Sequence, residues 1–140
     1  MEEKFNEATP QRPEGDRMLN ASLVTMDLNQ FIAQVRNESS WKDSDRNSIT
    51  IFKSDVLRVV LIGLHAGAEI KTHTTEGFIS VQVLEGHIRF IVEGGAEELQ
   101  KGQMLALHPQ IAHSVAAIKE SFFLLTLAMV ETPTYEGSIF

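Results

Sequence analysis

The sequence predicts an all-β fold, a sandwich or barrel of short strands preceded by one short helix. Two observations carry the β assignment. From Ser48 to Met129 apolar and polar residues alternate in runs of strand length, and glycines or other turn residues punctuate those runs at short, even intervals. A third observation supplies the helix: only the segment beginning at Asp27 repeats its apolar residues with helical period.

The chain has 140 residues, enough for one domain that buries roughly two-thirds of its unfolded surface. Its hydrophobic fraction is 43% and its charged fraction 22%, as in ordinary globular proteins. A net charge of −7, with no basic cluster to offset it, repels phosphate backbones and anionic lipid. Neither nucleic acid nor a membrane surface is expected as a partner. The absence of cysteine excludes disulfides, thiolate metal sites and cysteine nucleophiles together. MEEKFNEATPQRPEGD lacks the basic region and apolar core of a signal peptide, and FFLLTLAMV is too short to span a bilayer. The expected compartment is the cytoplasm.

Residues 1–19 carry mixed charge and no periodicity, and are expected to form a flexible N-terminal arm. Residues 20–47 should provide the helix and a connection that pack on the barrel. Within them Ala21–Thr25 (ASLVT) has the composition of a short strand. The helix follows, with Leu28, Phe31, Ile32 and Val35 on one stripe. Asp27 stands at the N-cap with Gln30 three residues on, Met26 and Phe31 can form a hydrophobic staple, and the pattern fades near Asn37. NESSWKDSDRN (37–47) is expected as a polar loop in which Trp41 anchors the connection.

Residues 48–130 should form the barrel. SITIFK, VLRVVLIGLHA, EIKTHT, FISVQVLE, HIRFIVE, AEELQ, QMLALH, AHSVAAI and SFFLLTLAMV follow in order, with turn signals at Gly67, Gly77, Gly86, Gly94-Gly95, Gly102, Pro109 and Lys119-Glu120. Period two places Ile88, Phe90 and Val92 on one face, and His87, Arg89 and Glu93 on the other. FFLLTLAMV is apolar on both faces, as for a strand buried between layers or in an oligomer interface, and a homodimer is the expected assembly. The tail at 131–140, ETPTYEGSIF, loses the pattern and is expected to wrap the surface or a partner.

Gly67, His73 and Gly86, and then Gly102, Pro109 and His113, stand at the spacing of two linked motifs. With the wording VQVLEGHIRF and GQMLALHPQIAH, this resembles the small single-domain, RmlC-like members of the cupin superfamily, over roughly Val56 to Met129. The resemblance implies a double-stranded β-helix, or jelly-roll barrel. It also implies a metal held by two histidines two apart, a glutamate, and the histidine of the second motif. Mapped onto this chain, His73 and His113 are the candidate metal ligands, while Thr75 and Ile79 occupy the other two positions.

That replacement changes the chemistry. Two neutral imidazoles hold zinc, iron, copper or nickel weakly without a thiolate or carboxylate. Glu76 could complete a two-histidine, one-carboxylate face, but alternation turns it away from His73 unless Gly77 marks a bulge. His108, five residues before His113, is another candidate ligand or else a surface turn residue, and His65 and His87 read as structural or solvated. Ser114, next to His113 on a strand, faces the opposite way and makes no triad, and no GxSxG, Walker, Rossmann or HExxH motif is present.

The leading expectation is a binding or sensing module that takes a small molecule in a barrel pocket lined by His73, Thr75, Ile79, Val81 and His113. The alternative is a metal-dependent enzyme of the dioxygenase or isomerase type, using zinc, iron, manganese or nickel on His73, His113 and a nonstandard third ligand. A purely structural barrel, filled by Ile79, Val81, Val83, Phe90 and Leu105, is the third.

Overall fold

A computed structural model describes residues 2–13 and 15–129, so the tail at 131–140 lies outside the described residues. Among the described residues, thirteen elements follow in order. They are β1 (Lys4–Asn6), β2 (Arg17–Asn20), α1 (Leu28–Asn37), α2 (Ser39–Asp43), β3 (Arg46–Lys53), β4 (Leu57–Leu64), β5 (Glu69–His73), β6 (Phe78–Glu85), β7 (His87–Val92), β8 (Gly95–Gln100), β9 (Met104–Leu107), β10 (His113–Ala117) and β11 (Ser121–Ala128). Antiparallel pairing arranges the barrel strands in two sheets, β3-β4-β11-β6-β9 and β5-β10-β7-β8. β3–β4 and β7–β8 pair within one sheet, and the other consecutive barrel strands cross between the sheets, as in a jelly roll. Among the described residues, no helix is long and apolar enough to cross a membrane.

Two apolar clusters hold these layers. The first fills the barrel with Ile79, Val81 and Val83 of β6, Ile88 and Phe90 of β7, Val115 and Ala117 of β10, and Phe123 of β11. The second lies outside the five-stranded sheet, where Ile32, Val35 and Trp41 pack on Ile49, Ile51, Val59, Leu61 and Phe122. Alternation along β11 sends Phe122 and Leu124 outward to the helices, and Phe123, Leu125 and Leu127 inward. The two-sided apolar character of this strand is therefore accounted for within one chain.

The helix starts as its spacing predicts: Asp27 is extended, and its carboxylate accepts the Gln30 N–H at 3.2 Å. It ends at Asn37 because Glu38 returns to extended backbone (φ −80°, ψ 152°). A second helix, α2, then replaces the expected polar loop. Five residues are too few to display a helical period, and only Trp41 of this turn is buried. Trp41 is the anchor, its ring stacked on His65 with centroids 3.6 Å apart and tilted on Phe122 at 5.1 Å. His65 Nε2 also bonds the Trp41 carbonyl oxygen at 2.8 Å.

The N-terminal part differs from the sequence reading. Ala21–Thr25 is not a strand, and Leu23 is 81% exposed there. The strand lies just upstream as β2, pairing with β1 in a ribbon inside the segment expected as an arm. No apolar alternation marks this ribbon because polar side chains hold it. Arg12 pairs with Glu38 through two 2.8 Å hydrogen bonds and donates to Ser48 O, and Arg17 donates to Thr50 O.

Glu38 is the hub, since Asn47 and Gln34 also donate to its carboxylate. Burial alone would push the Glu38 carboxyl up, but hydrogen bonds from Arg12, Asn47 and Gln34, with the Arg12 charge, hold it below the usual carboxylate range. A lowered folded-state pKa contributes stability that is present above the unfolded value, about 4.3, and lost as pH falls through the folded value. Urea denaturation across acidic pH is therefore expected to give a shallower loss of stability for Glu38→Gln than for the unaltered chain. Equal slopes would remove Glu38 from the acid transition.

Candidate functional site

One end of the barrel is built from the end of β5 and the start of β10. His73 and His113 stand directly opposite each other in this pair, and on its other side His113 faces Val92 of β7. Val115 faces both Phe90 and Ile70, all three in or against the interior cluster, and His113, two residues away, shares that face.

His73 reaches the same face through an irregularity. On β10 the step from His113 to Val115 is two residues, whereas their partners on β5 are His73 and Ile70. The extra residue is a bulge across Lys71 and Thr72, which turns His73 inward, where strict alternation from Ile70 would turn it out. The break in parity thus lies before His73.

The two imidazole centroids are 4.4 Å apart with their planes at 59°, and the His113 ring stacks on Phe90 at 5.3 Å and 13°. His113 is 3% exposed, whereas His73 lies at the surface. Each ring is held by a carbonyl: His73 Nδ1 lies 2.8 Å from Lys71 O, and His113 Nδ1 lies 2.9 Å from Ile111 O. A carbonyl only accepts, so Nδ1 carries the hydrogen in both rings and the neutral tautomer leaves each Nε2 with a lone pair. Among the described residues no buried side-chain nitrogen or oxygen lacks a partner.

The other expected pocket residues are placed differently. Thr75 is half-buried on the connection to β6, its hydroxyl donating to Gly77 O at 3.1 Å and its carbonyl accepting the Gln110 N–H at 2.9 Å. This last bond ties together the two connections that flank the histidines. Ile79 and Val81 are 3% and 1% exposed within the interior cluster and offer a ligand almost no surface. A cleft of about 700 Å³ opens elsewhere, beside α1, with Gln11, Pro13, Gln34 and Asn37 in its wall.

The donor set does not fit the four-ligand metal site that the resemblance implies. Among the described residues no group of three or more His, Cys, Asp or Glu side chains converges. Glu76 is exposed on the connection after β5, and the His108 ring packs on Phe78 at 4.7 Å. His65 belongs to the Trp41 stack, and His87 pairs with Glu98 at 2.8 Å. The sequence reading missed Phe90 as the platform under His113 and missed the two carbonyls that orient the rings. Alternation already put Phe90 on an inward face, but backbone acceptors have no signature in residue type.

No family model matches this sequence, and no curated protein matches it. Solved structures do match. A conserved protein of unknown function from Streptococcus pyogenes superposes with a TM-score of 0.65 at 22% identity, covering 81% of this chain and 94% of that one. An RmlC-like cupin from Desulfovibrio desulfuricans gives 0.57 at 26% identity over 62% of this chain and 85% of its own. Salicylate 1,2-dioxygenase from Pseudaminobacter salicylatoxidans gives 0.55 at 22% identity, over 60% of this chain but only 26% of the enzyme. With the two antiparallel sheets of its barrel and these neighbours, the chain has the small single-barrel fold of RmlC-like cupins.

Proposed function

We propose that this chain is a binding module that holds a small molecule at the histidine end of the barrel through the Nε2 atoms of His73 and His113. The observation that supports the reading is the pair of carbonyl-locked rings, with centroids 4.4 Å apart, whose Nε2 atoms are left as acceptors. Two acceptor nitrogens on adjacent rings favour a ligand that brings a donor, such as a neutral hydroxyl. Val92, half-buried beside His113, supplies apolar surface for the ligand's body, and Phe90 backs the His113 ring. Ile79 and Val81 then serve as the packed floor beneath the site.

A second reading, a metal-dependent enzyme of dioxygenase or isomerase type, is favoured by one specific observation. Metal-ligating imidazoles commonly donate their other N–H to a carbonyl, as both rings do in this chain. A salicylate dioxygenase shares the fold. The shortage of donors stands against it, since neither Thr75 nor Ile79 supplies the missing charge.

Elemental analysis of untagged protein, purified without chelator, separates the two. The binding-module reading expects zinc, iron, manganese and nickel each well below one per chain. It also expects phenol, as a neutral hydroxyl probe, to perturb the NMR signals of His73, His113 and Phe90 and to lose about tenfold in affinity in His113→Ala. Near-stoichiometric metal that disappears in His73→Ala would overturn it in favour of the enzyme.

A further inference from the structure

At the histidine end each sheet of the barrel finishes in one row of inward-facing residues. On the four-stranded sheet that row is His73, His113 and Val92, on β5, β10 and β7. On the five-stranded sheet it is Leu107, Ile79, Leu127, Arg58 and Lys53, one residue each from β9, β6, β11, β4 and β3. Leu107, Ile79 and Leu127 pack in or against the interior cluster, so Arg58 and Lys53, their partners in the row, share the inner face. The rest of β4 agrees. Ile62 and Leu64 pack inside, whereas Leu57, Val59 and Leu61 pack under the helices.

The two rows border one mouth. Short connections run from His73 to β6 and from β9 to His113, and the Gln110 N–H ties them together at Thr75 O. Arg46 of β3 donates to Glu69 O of β5 at 2.6 Å, so the β3 edge of one sheet lies beside the β5 edge of the other. Arg58 and Lys53 therefore fall on the His73 side of the mouth.

Two cations are out of keeping with the apolar members of their row. The ion pairs among the described residues use Arg12, Arg36, Arg46 and His87, so neither Arg58 nor Lys53 has an acidic partner there, although Asp55 lies in the turn between them. Arg58 is exposed and Lys53 half-buried. A chain of net charge −7 thus keeps two unpaired cations at the rim of its interior. Arg46, at the far end of β3, is by contrast taken by Asp45, and Arg89 alternates to the outer face of β7.

We propose that Arg58, assisted by Lys53, forms an anion subsite in this mouth, and that the small molecule held by the histidines carries a carboxylate. The proposal rests on the reading of the histidine pair as a ligand site and adds the ligand's charge to it. Neighbouring strands lie about 4.8 Å apart, so Arg58 stands roughly 10 Å along the row from Ile79, a span that its long side chain can shorten. Leu127, half-buried between the two, offers apolar surface to the ligand's body. The guanidinium fork matches the two oxygens of a carboxylate, while the histidines take the hydroxyl at the other end. The mouth thereby selects for polarity along the ligand as well as for its apolar body.

The test compares phenol with 4-hydroxybenzoate and the longer 4-hydroxyphenylacetate, by NMR titration of the full chain at neutral pH. The proposal expects at least one carboxylated phenol to bind about tenfold tighter than phenol, and this ratio to fall in high salt. Arg58→Gln should bring the ratio to about one, because the charged partner of the carboxylate is gone. Lys53→Gln should lower it by a smaller factor, and Arg89→Gln on the outer face should leave it unchanged. Equal affinity for all three probes overturns the subsite while the histidine reading stands, and so does a ratio that Arg58→Gln does not alter. Carboxylate binding that requires Arg58 but is indifferent to His113→Ala upholds the subsite and removes the histidine reading. Failure of every probe to bind overturns both.

Discussion

Phe122→Ala is expected to cost about 3–5 kcal/mol, the usual range for emptying a large aromatic site in a packed core. The ring is 0% exposed and is the point where the helix layer meets the barrel wall. Trp41 lies against it at 5.1 Å, the Arg36 guanidinium sits over its face at 4.6 Å, and Gly63 on the neighbouring strand leaves room for its edge. Truncation removes all three contacts and leaves a void that neither sheet nor helix can close cheaply. The measurements are urea denaturation and the near-ultraviolet signal of Trp41. Phe123→Ala, from the opposite face of the same strand, should cost a similar amount through the interior cluster while leaving the Trp41 signal in place. A loss below about 1 kcal/mol for Phe122→Ala, outside the range for such sites, would mean that the helices are tied to the barrel by other contacts.

The same alternation that separates Phe122 from Phe123 made most of the barrel legible in sequence. Glycine-marked turns and period-two runs suffice for sheets in which one face is buried, because a slip of one residue would expose every apolar side chain. The reading failed where side-chain type does not report backbone behaviour. The ribbon of β1 and β2 is held through arginines bonding to carbonyls, an interaction that any polar segment could in principle make. α2 is shorter than two helical turns, so its single buried residue, Trp41, carries no period. At the site, the spacing of His73 and His113 located the pair, but the inward direction of His73 depends on the bulge at Lys71 and Thr72. Extrapolating alternation from Ile70 would have turned that ring to solvent.

The reduced donor set and the filled barrel are linked. Ile79 stands where the family resemblance would put a charged ligand, and it is packed opposite Leu107 and Leu127. An apolar side chain at this position closes the interior, which is why the proposed binding site is placed at the histidine end. The two imidazoles then lie at the boundary between the packed core and water, with His113 stacked on Phe90 and His73 open to the surface. Such a place suits a ligand with an apolar body and one hydrogen-bond donor better than a bare cation, which needs more ligands than the site offers.

Gly86→Ala is expected to be as damaging as the loss of the Phe122 ring, on the order of 3 kcal/mol or more, for a backbone reason. Gly86 is the only residue between β6 in one sheet and β7 in the other, and it turns the corner with φ +95°. A Cβ there would run into Glu120 O and Ser121 Oγ, and would lie 2.7 Å from Ser121 Cα. Ser121 cannot yield, because it is fully buried, its hydroxyl accepting the His87 N–H at 2.9 Å and lying 2.7 Å from Lys119 O. Gly102 provides the comparison: its φ is +85°, yet an added Cβ meets nothing within 4 Å. Gly102→Ala should therefore show the left-handed backbone penalty alone, about 1–2 kcal/mol. The excess cost of Gly86→Ala over Gly102→Ala then measures the close approach at the corner. Adding Ser121→Ala should recover little of that excess, since the Glu120 carbonyl remains in the way and the His87 N–H loses its acceptor. Full recovery in that double variant would locate the strain in the hydroxyl and not in the backbone of β11.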